Sequence, residues 1–261
     1  MILTLKRLLR KINLFKKTYV KCNGSILPSP DRRWCGPEFR NNSYYLRSAE
    51  SEALRLINKL GCNKQSKILD IGCGQGRLPI GLTRIMGEID YIGIDVDQWS
   101  VRWCKRFISK YHPAYHFFHI NVGNERYNNH GDPLNSSFRF DFPDNNFDII
   151  YLYSVFSHMK QEDMLIYLTD TKRILKAKGQ VFFTTFIEEN VENVSYDSPD
   201  YGFIQDRPLH SVRYEKKYLF SLLVSLGFEV REFNHKAETD GQSAVYITIS
   251  SKEYAHETGR F

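Results

Sequence analysis

The stretch Lys67-Ile-Leu-Asp70-Ile-Gly72-Cys73-Gly74-Gln75-Gly76-Arg77 decides the fold. A short apolar run carries an acid, breaks into glycines at every second position, and resumes as an apolar-periodic segment that runs to Met86. The rhythm is strand, tight turn, helix. Glycine permits the turn and lets a ligand approach the backbone. The helix N-terminus behind it offers free N–H donors to an anionic group. A second strand, Tyr91–Ile94, runs into Asp95. That acid lies about twenty residues past the glycines, the separation at which a carboxylate can meet ribose hydroxyls. Each feature has a plainer alternative: the glycines serve only a turn, or Asp95 caps the helix that begins at Gln98. Together they point to an adenosine-containing cofactor.

Working outward, strands and helices alternate. Leu46–Leu60 reads as a helix closed by Gly61. Lys67–Ile71, Tyr91–Ile94, Tyr115–Ile120, Phe147–Tyr153 and Gln180–Phe186 read as strands. Arg77–Met86, Gln98–Ser109, Gln161–Leu175 and Tyr214–Leu226 read as the helices between and after them. Such alternation implies right-handed crossovers and a mostly parallel sheet. The last two strands, Phe228–Phe233 and Ala244–Ser250, are joined only by a loop, which suits an antiparallel pair. The expectation is an α/β, doubly wound, Rossmann-like fold. Its seven-stranded, mostly parallel sheet has an antiparallel strand near the C-terminal end, and a helical cap precedes it. Residues 1–45 form the cap segment and 46–261 the main domain. Two long polar insertions, 121–141 and 188–212, interrupt that domain.

The chain has 261 residues, 42% of them hydrophobic and 25% charged. That suits one folded domain with a real core. No apolar run approaches the roughly 20 residues that span a bilayer. The net charge of +6 is concentrated at the N-terminus. There Lys6, Arg7, Arg10, Lys11, Lys16, Lys17 and Lys21 alternate with Ile2, Leu5, Leu8, Leu9, Ile12 and Phe15 at helical spacing. This reads as a basic amphipathic helix, either a peripheral membrane contact through residues 1–20 or a cover or arm over the cofactor cleft. The cysteines (Cys22, Cys35, Cys62, Cys73 and Cys104) are odd in number and scattered, with no Cys-x-x-Cys pair. This argues against a disulfide framework or a zinc site and for a reducing, cytoplasmic setting. His112, His116, His119 and His130 are spread over different elements. His116 and His119 point to opposite faces of one strand, so no metal site is expected.

The glycine pattern is G-x-G-x-G preceded by Asp70, not the G-x-G-x-x-G of dinucleotide binders, which disfavours a nicotinamide-dependent dehydrogenase. It resembles the first motif of the class I S-adenosylmethionine-dependent methyltransferases of the small-molecule type. The resemblance continues through Phe140-Asp-Phe-Pro-Asp-Asn-Asn-Phe-Asp148, the loop Tyr153-Ser-Val-Phe-Ser-His158-Met, and Leu168 to Gly179. It covers residues 65–187. It implies S-adenosyl-L-methionine as cofactor, leaving as S-adenosyl-L-homocysteine. It places Asp70, Gly72, Cys73, Gly74, Gly76, Asp95, Val96, Asn121, Val122, Tyr153, Ser154 and Tyr44 around that cofactor. Asn121 stands where many members carry an Asp near the adenine amino group.

Methyl transfer from a sulfonium asks the protein mainly to align a nucleophile and sometimes to take its proton. His158, after the fourth strand of the alternating set, is the candidate base; a cofactor or lid contact and a structural role are its alternatives. Tyr44 and Tyr45 approach the cofactor or simply pack under the cap. Arg32, Arg33 and Arg40 hold an anionic group or form a solvated face. His210 and Arg213 border the second insertion. Tyr127, Phe138, Tyr196, Tyr201 and Phe203 provide aromatic walls for an acceptor. No nucleic-acid-binding module is recognisable, and Leu152-Tyr-Ser-Val stands where base and glutamine methylases of this type carry Asn-Pro-Pro-Tyr. A small-molecule acceptor is therefore expected, methylated on an oxygen of a natural product, sugar or peptide carboxylate. A lipid or quinone acceptor at a membrane and a catalytically silent cofactor-binding scaffold are the alternatives.

Overall fold

A computed structural model describes residues 18–33, 36–201 and 208–251. The basic amphipathic helix expected before Thr18 lies outside the described residues, as do Cys35 and Phe203.

The core sheet contains β3 (Lys67–Ile71), β4 (Asp90–Asp95), β5 (Tyr115–His119), β6 (Phe147–Leu152), β7 (Leu175–Glu188), β10 (Phe228–Asn234) and β11 (Ser243–Ile249), in the spatial order β10-β11-β7-β6-β3-β4-β5. Neighbours from β7 to β5 run parallel, while β11 lies antiparallel to both β7 and β10. Strand order reverses between β3 and β6, which opens a crevice at their carboxyl ends. On one face pack α1 (Asn42–Leu60), α2 (Arg77–Met86) and α3 (Gln98–Cys104). The opposite face carries α4 (Gln161–Ile174) and α5 (Lys216–Ser225). α1 lies close on α2 because Gly81 has no side chain: a Cβ there would stand 1.8 Å from the Ala49 carbonyl oxygen.

Local chemistry explains most boundaries. α1 begins four residues before Leu46 because Asn41 accepts the Tyr44 N–H at 3.0 Å, and it ends in left-handed Gly61. α3 starts where Asp97 accepts the N–H groups of Trp99 and Ser100. Its last turn widens into a π turn at Lys105–Ser109.

The structure corrects the expectation in four places. The cap is not helical where it is described: Tyr19–Cys22 (β1) and Ser25–Pro28 (β2) form an antiparallel hairpin, followed by two 3-10 turns. The Asn23-Gly24 turn, with both residues at positive φ, closes the hairpin and outweighs the helical periodicity that reached Lys21. α4 stops at Ile174, and β7 begins at once at Leu175; Gly179 sits inside its irregular start, where the pairing with β6 shifts register. The second insertion is not all loop: Val194–Tyr196 (β8) and Val212–Glu215 (β9) extend the sheet beside the carboxyl end of β7. Consequently α5 starts at Lys216 rather than Tyr214, capped by the Glu215 carboxylate.

The first insertion is pinned rather than free. Asp170 is buried and accepts the Phe140 N–H at 2.6 Å. Arg173 bonds to Asp170 and to the carbonyl oxygens of Phe140 and Phe142. Phe138 stacks on Tyr167, 5.5 Å between ring centroids. Phe138 therefore packs against the core and does not line the crevice.

Candidate active site

The crevice holds a cavity of about 450 Å³, within the size range of small-molecule and cofactor sites. Its floor is the glycine turn. The N–H groups of Gly72 and Cys73 both bond to the Ile94 carbonyl, at 2.8 and 3.1 Å, which holds the turn against β4. Gly72, Cys73, Gly74 and Gln75 line the cavity, and above Gly74 there is open space where a Cβ would stand. Gly76 has a different task. It does not line the cavity, and a Cβ on it would stand 2.3 Å from Ile108. Its small size lets α2 and the α3 π turn close together.

Asp95 binds the turn from the second strand. One carboxylate oxygen accepts the Gly74 N–H at 2.7 Å and the other accepts the Asp97 N–H at 2.7 Å. Asp97, not Asp95, caps α3, so Asp95 keeps lone pairs for a ligand. Burial pushes the Asp95 carboxyl up to about 6, against the pull of those two backbone donors. Asp70 is also buried; burial pushes it up to about 7, although the Tyr91 hydroxyl donates to it at 2.6 Å. Val96, Val122, Ile120 and Trp99 give the next part of the wall.

Three sequence expectations change here. Asn121 does not line the cavity: it is exposed, and its amide donates to Asp132 at 3.1 Å. The strand has ended at His119, so Ile120 and Val122 turn inward and Asn121 outward. Tyr44 also faces away, 39% exposed and edge-on to Phe39, while its neighbour Tyr45 lines the cavity. Helical spacing puts adjacent residues about 100° apart, so only one of the two can point inward. Tyr196 and Tyr201 lie outside the wall. The Tyr196 hydroxyl accepts the Gln161 N–H, and Tyr201 packs on Phe186 at 4.4 Å between ring centroids. Tyr127 lines the cavity as expected, together with Arg32, Arg33 and His210. Arg33 is committed to the carbonyls of Pro28 and Phe39 and to Asn42, and Arg32 lies over Trp99. Arg40 is not among the lining residues.

At the other end of the cavity, hydrogen-bond directions follow from donor chemistry. Ser154, with φ 57°, donates its N–H to the Thr184 hydroxyl at 2.8 Å. Thr184 donates to the Gln242 side-chain carbonyl at 2.7 Å, and the Gln242 amide donates to the Ser154 hydroxyl oxygen at 2.8 Å. The Ser154 hydroxyl lies 3.3 Å from His158 Nε2. His158 Nδ1 lies 3.0 Å from the Leu209 carbonyl, which can only accept, so the neutral ring carries its proton on Nδ1. Burial pushes the His158 imidazole down to about 4. It is a neutral ring with its Nε2 lone pair at the cavity wall.

Sequence reasoning missed a buried charge network. Glu52 lies between Arg55, at 3.0 Å, and Arg77, at 3.5 Å, and burial raises its carboxyl. Arg55 reaches both carboxylate oxygens of Glu238, at 2.7 and 2.8 Å. Tyr153 bonds to Thr239 at 2.9 Å, with the Arg77 guanidinium 4.5 Å above its ring. The network ties α1, α2, β6 and the β10–β11 turn around one end of the cavity. No pattern in the sequence announced it, since Arg55 and Glu238 are 183 residues apart. Phe186, Thr239, Asp240 and Gln242 line the cavity and were missed for the same reason.

A cofactor with a carboxylate and an adenosine fits this cavity. Gln75 is 6% exposed, and its side-chain N–H₂ has no hydrogen-bond partner among the described residues. Such a donor is costly to bury unless a ligand satisfies it. Beside it stand the open space over Gly74, the N-terminus of α2, and the Asp95 lone pairs. No group of three or more His, Cys, Asp or Glu that could hold a metal occurs among the described residues.

The fold and the glycine-turn site together define a Rossmann-like, S-adenosylmethionine-binding transferase class. Residues 45–232 match the methyltransferase domain model, so the chain belongs to the methyltransferase-domain family. S-adenosylmethionine is its cofactor. The chain is 30% identical over 118 residues to an uncharacterized methyltransferase of Schizosaccharomyces pombe, covering 45% of this chain and 39% of that one. It is 31% identical over 157 residues to a probable methyltransferase of Aspergillus luteorubrus, covering 58% and 50%. The chain thus spans half or less of the length of these curated relatives. Among solved structures, it is similar to a Pyrococcus horikoshii protein, with TM-score 0.55 and 16% identity over 82% of this chain and 94% of that one. It is also similar to 1,6-didemethyltoxoflavin-N1-methyltransferase of Burkholderia thailandensis, with TM-score 0.53 and 13% identity over 80% and 82%. These two likenesses concern the fold.

Proposed function

We propose that the chain transfers the methyl group of S-adenosylmethionine to a hydroxyl oxygen of a small acceptor, with His158 receiving the proton. The cofactor supplies an electrophilic methyl carbon on a sulfonium. Asp70, Gly72, Cys73, Gly74, Asp95, Val96, Val122, Tyr153 and Ser154 hold it, with Gln75 added and Asn121 and Tyr44 removed from the expected set. Gly76 acts indirectly, by closing the helices behind the turn. The acceptor enters against Tyr45, Tyr127, Phe186 and His210, so the second insertion supplies part of its wall.

The observation that carries the oxygen assignment is the placement of the His158 ring, whose Nδ1–H is held by the Leu209 carbonyl at 3.0 Å and whose Nε2 lies at the cavity wall, 3.3 Å from the Ser154 hydroxyl. A neutral amine attacks without losing a proton and has no use for such a base, whereas a hydroxyl must give up its proton. A hydroxyl becomes strongly acidic as its oxygen gains the methyl group, and then a weak base suffices. A natural product or a sugar would supply such a hydroxyl; a peptide carboxylate would need no base. The described cysteines are free, which supports a reducing, cytoplasmic setting. No helix among the described residues is long and apolar enough to cross a membrane.

The test is a labelled-methyl transfer assay on acceptor pairs that differ only by hydroxyl against amine. Turnover of the hydroxyl members supports the reading; turnover confined to amines overturns it. A second reading, a lipid-type acceptor with peripheral contact through residues 1–20, is favoured by that segment's basic and apolar residues. The relatives include a Candida albicans sterol 24-C-methyltransferase, 22% identical over 227 residues. Co-sedimentation with anionic vesicles, compared with a chain lacking residues 1–20, decides it.

A further inference from the structure

We propose that Asp197 is a positioning residue for His158, acting through the backbone of Leu209. The inference rests on the reading of His158 as proton acceptor. It starts from strain. Leu209 is held at φ 55°, a left-handed conformation that a bulky side chain rarely adopts and that needs outside support. Nothing in its own side chain favours this: Leu209 is 6% exposed and part of the hydrophobic core.

The support is one carboxylate. Asp197 Oδ2 accepts the Leu209 N–H at 3.0 Å. Its Oδ1 accepts the N–H groups of His210, at 2.5 Å, and Ser211, at 3.1 Å. The Asp197 N–H in turn donates to the Ser211 carbonyl at 2.7 Å. Successive backbone N–H groups converging on one negative charge form an anion nest; here the anion is a side chain of the same protein. The consequence lies one atom further along. With its N–H held by Asp197 and its φ fixed, Leu209 turns its carbonyl to His158 Nδ1 at 3.0 Å.

That carbonyl selects the tautomer. It accepts and cannot donate, so Nδ1 keeps the proton and Nε2 keeps its lone pair toward Ser154 and the cavity. Without the carboxylate, Leu209 relaxes to negative φ, its carbonyl swings away, and the selection is lost. The tautomer with the proton on Nε2 would offer the acceptor a donor and no base. Asp197 touches neither cofactor nor reacting atoms. Its effect passes through the backbone.

The experiment is nitrogen-15 spectroscopy of the histidine rings in the full-length protein near neutral pH, with S-adenosylhomocysteine added. Titration of the same compound serves as the check that each variant is folded. In the wild type, His158 shows the Nδ1–H tautomer. Asp197→Ala moves it to a mixture or to the Nε2–H form and lowers kcat about tenfold, part of the 10²–10⁴ that a positioned base supplies. S-adenosylhomocysteine affinity and acceptor KM change little. Asp197→Asn has one accepting oxygen where the carboxylate uses two, so it shifts the tautomer in the same direction as Asp197→Ala but less far. Persistence of the Nδ1–H form in folded Asp197→Ala overturns the proposal. If that variant does not fold, Asp197→Ser decides by the same criterion. The tautomer is read without turnover, so failure of the hydroxyl-acceptor reading leaves this result interpretable.

Discussion

The two ends of the cavity are built in different ways. The glycine-turn end is built on residues 70–99, and its bonds stay within one strand–helix–strand unit: Gly72 to Ile94, Gly74 to Asp95, Asp97 to Trp99. The acceptor end is assembled from far apart. Asn124 bonds to the His158 carbonyl, Gln242 to Ser154, and Arg55 to Glu238. One end is a local supersecondary unit, which any strand–turn–helix of this type can form. The other exists only when the whole sheet has closed. On the proposed function, the difference teaches that cofactor and acceptor recognition draw on separate parts of the fold and can be damaged separately.

The sharpest way to break that comparison is His158→Ala. We expect a fall in kcat of about 100-fold or more with S-adenosylhomocysteine affinity unchanged; a normal rate at saturating acceptor removes His158 from the chemistry. Next is Arg55→Ala, which removes the guanidinium that bridges Glu52 and Glu238 and leaves Glu52 with Arg77 alone. It should cost on the order of 3 kcal/mol in a denaturant titration, and the loss should concern the whole fold rather than cofactor binding alone. Asp95→Ala should weaken S-adenosylhomocysteine by roughly 1.5–3 kcal/mol in calorimetry, with kcat at saturating cofactor largely kept.

The pH dependence sharpens the contrast within one experiment. His158 lies near 4, so it stays neutral from about pH 5 upward, and kcat should show no ascending limb near the usual histidine value of about 6.5. Asp95 lies near 6 in the free protein. Its carboxylate is the better acceptor for ribose hydroxyls, so S-adenosylhomocysteine affinity should fall as pH drops through about 6. An ascending limb in kcat near 6.5 would show a solvent-exposed imidazole at work instead. The smallest expected effect is that of Asn121→Ala, under about twofold in cofactor affinity, because its side chain is turned to Asp132; a large loss would restore it to the adenine site.

The glycine turn, Asp70, Asp95, the alternating strands and the antiparallel return were legible in the sequence. Each is announced by a local pattern, a period of two or of 3.6, or a residue type that a turn requires. His158 was legible as a candidate because its position follows the β6 strand. Its low basicity was not, since burial causes it. The side-by-side tyrosines show the limit on a small scale. Tyr44 and Tyr45 are equivalent as letters, and only the roll of α1 on α2 makes Tyr45 the wall and Tyr44 the surface.

By itself, then, the sequence determined the fold class and the chemistry of the cofactor turn, because both are encoded in contiguous residues whose backbone preferences are strong. Tertiary structure alone decided the Glu52–Arg55–Glu238 network, the inward turn of Val122 over Asn121, and the Asp197–Leu209–His158 relay. These depend on which distant side chains share one low-dielectric space. Burial there sets protonation, direction and cost, and chain order carries no record of it.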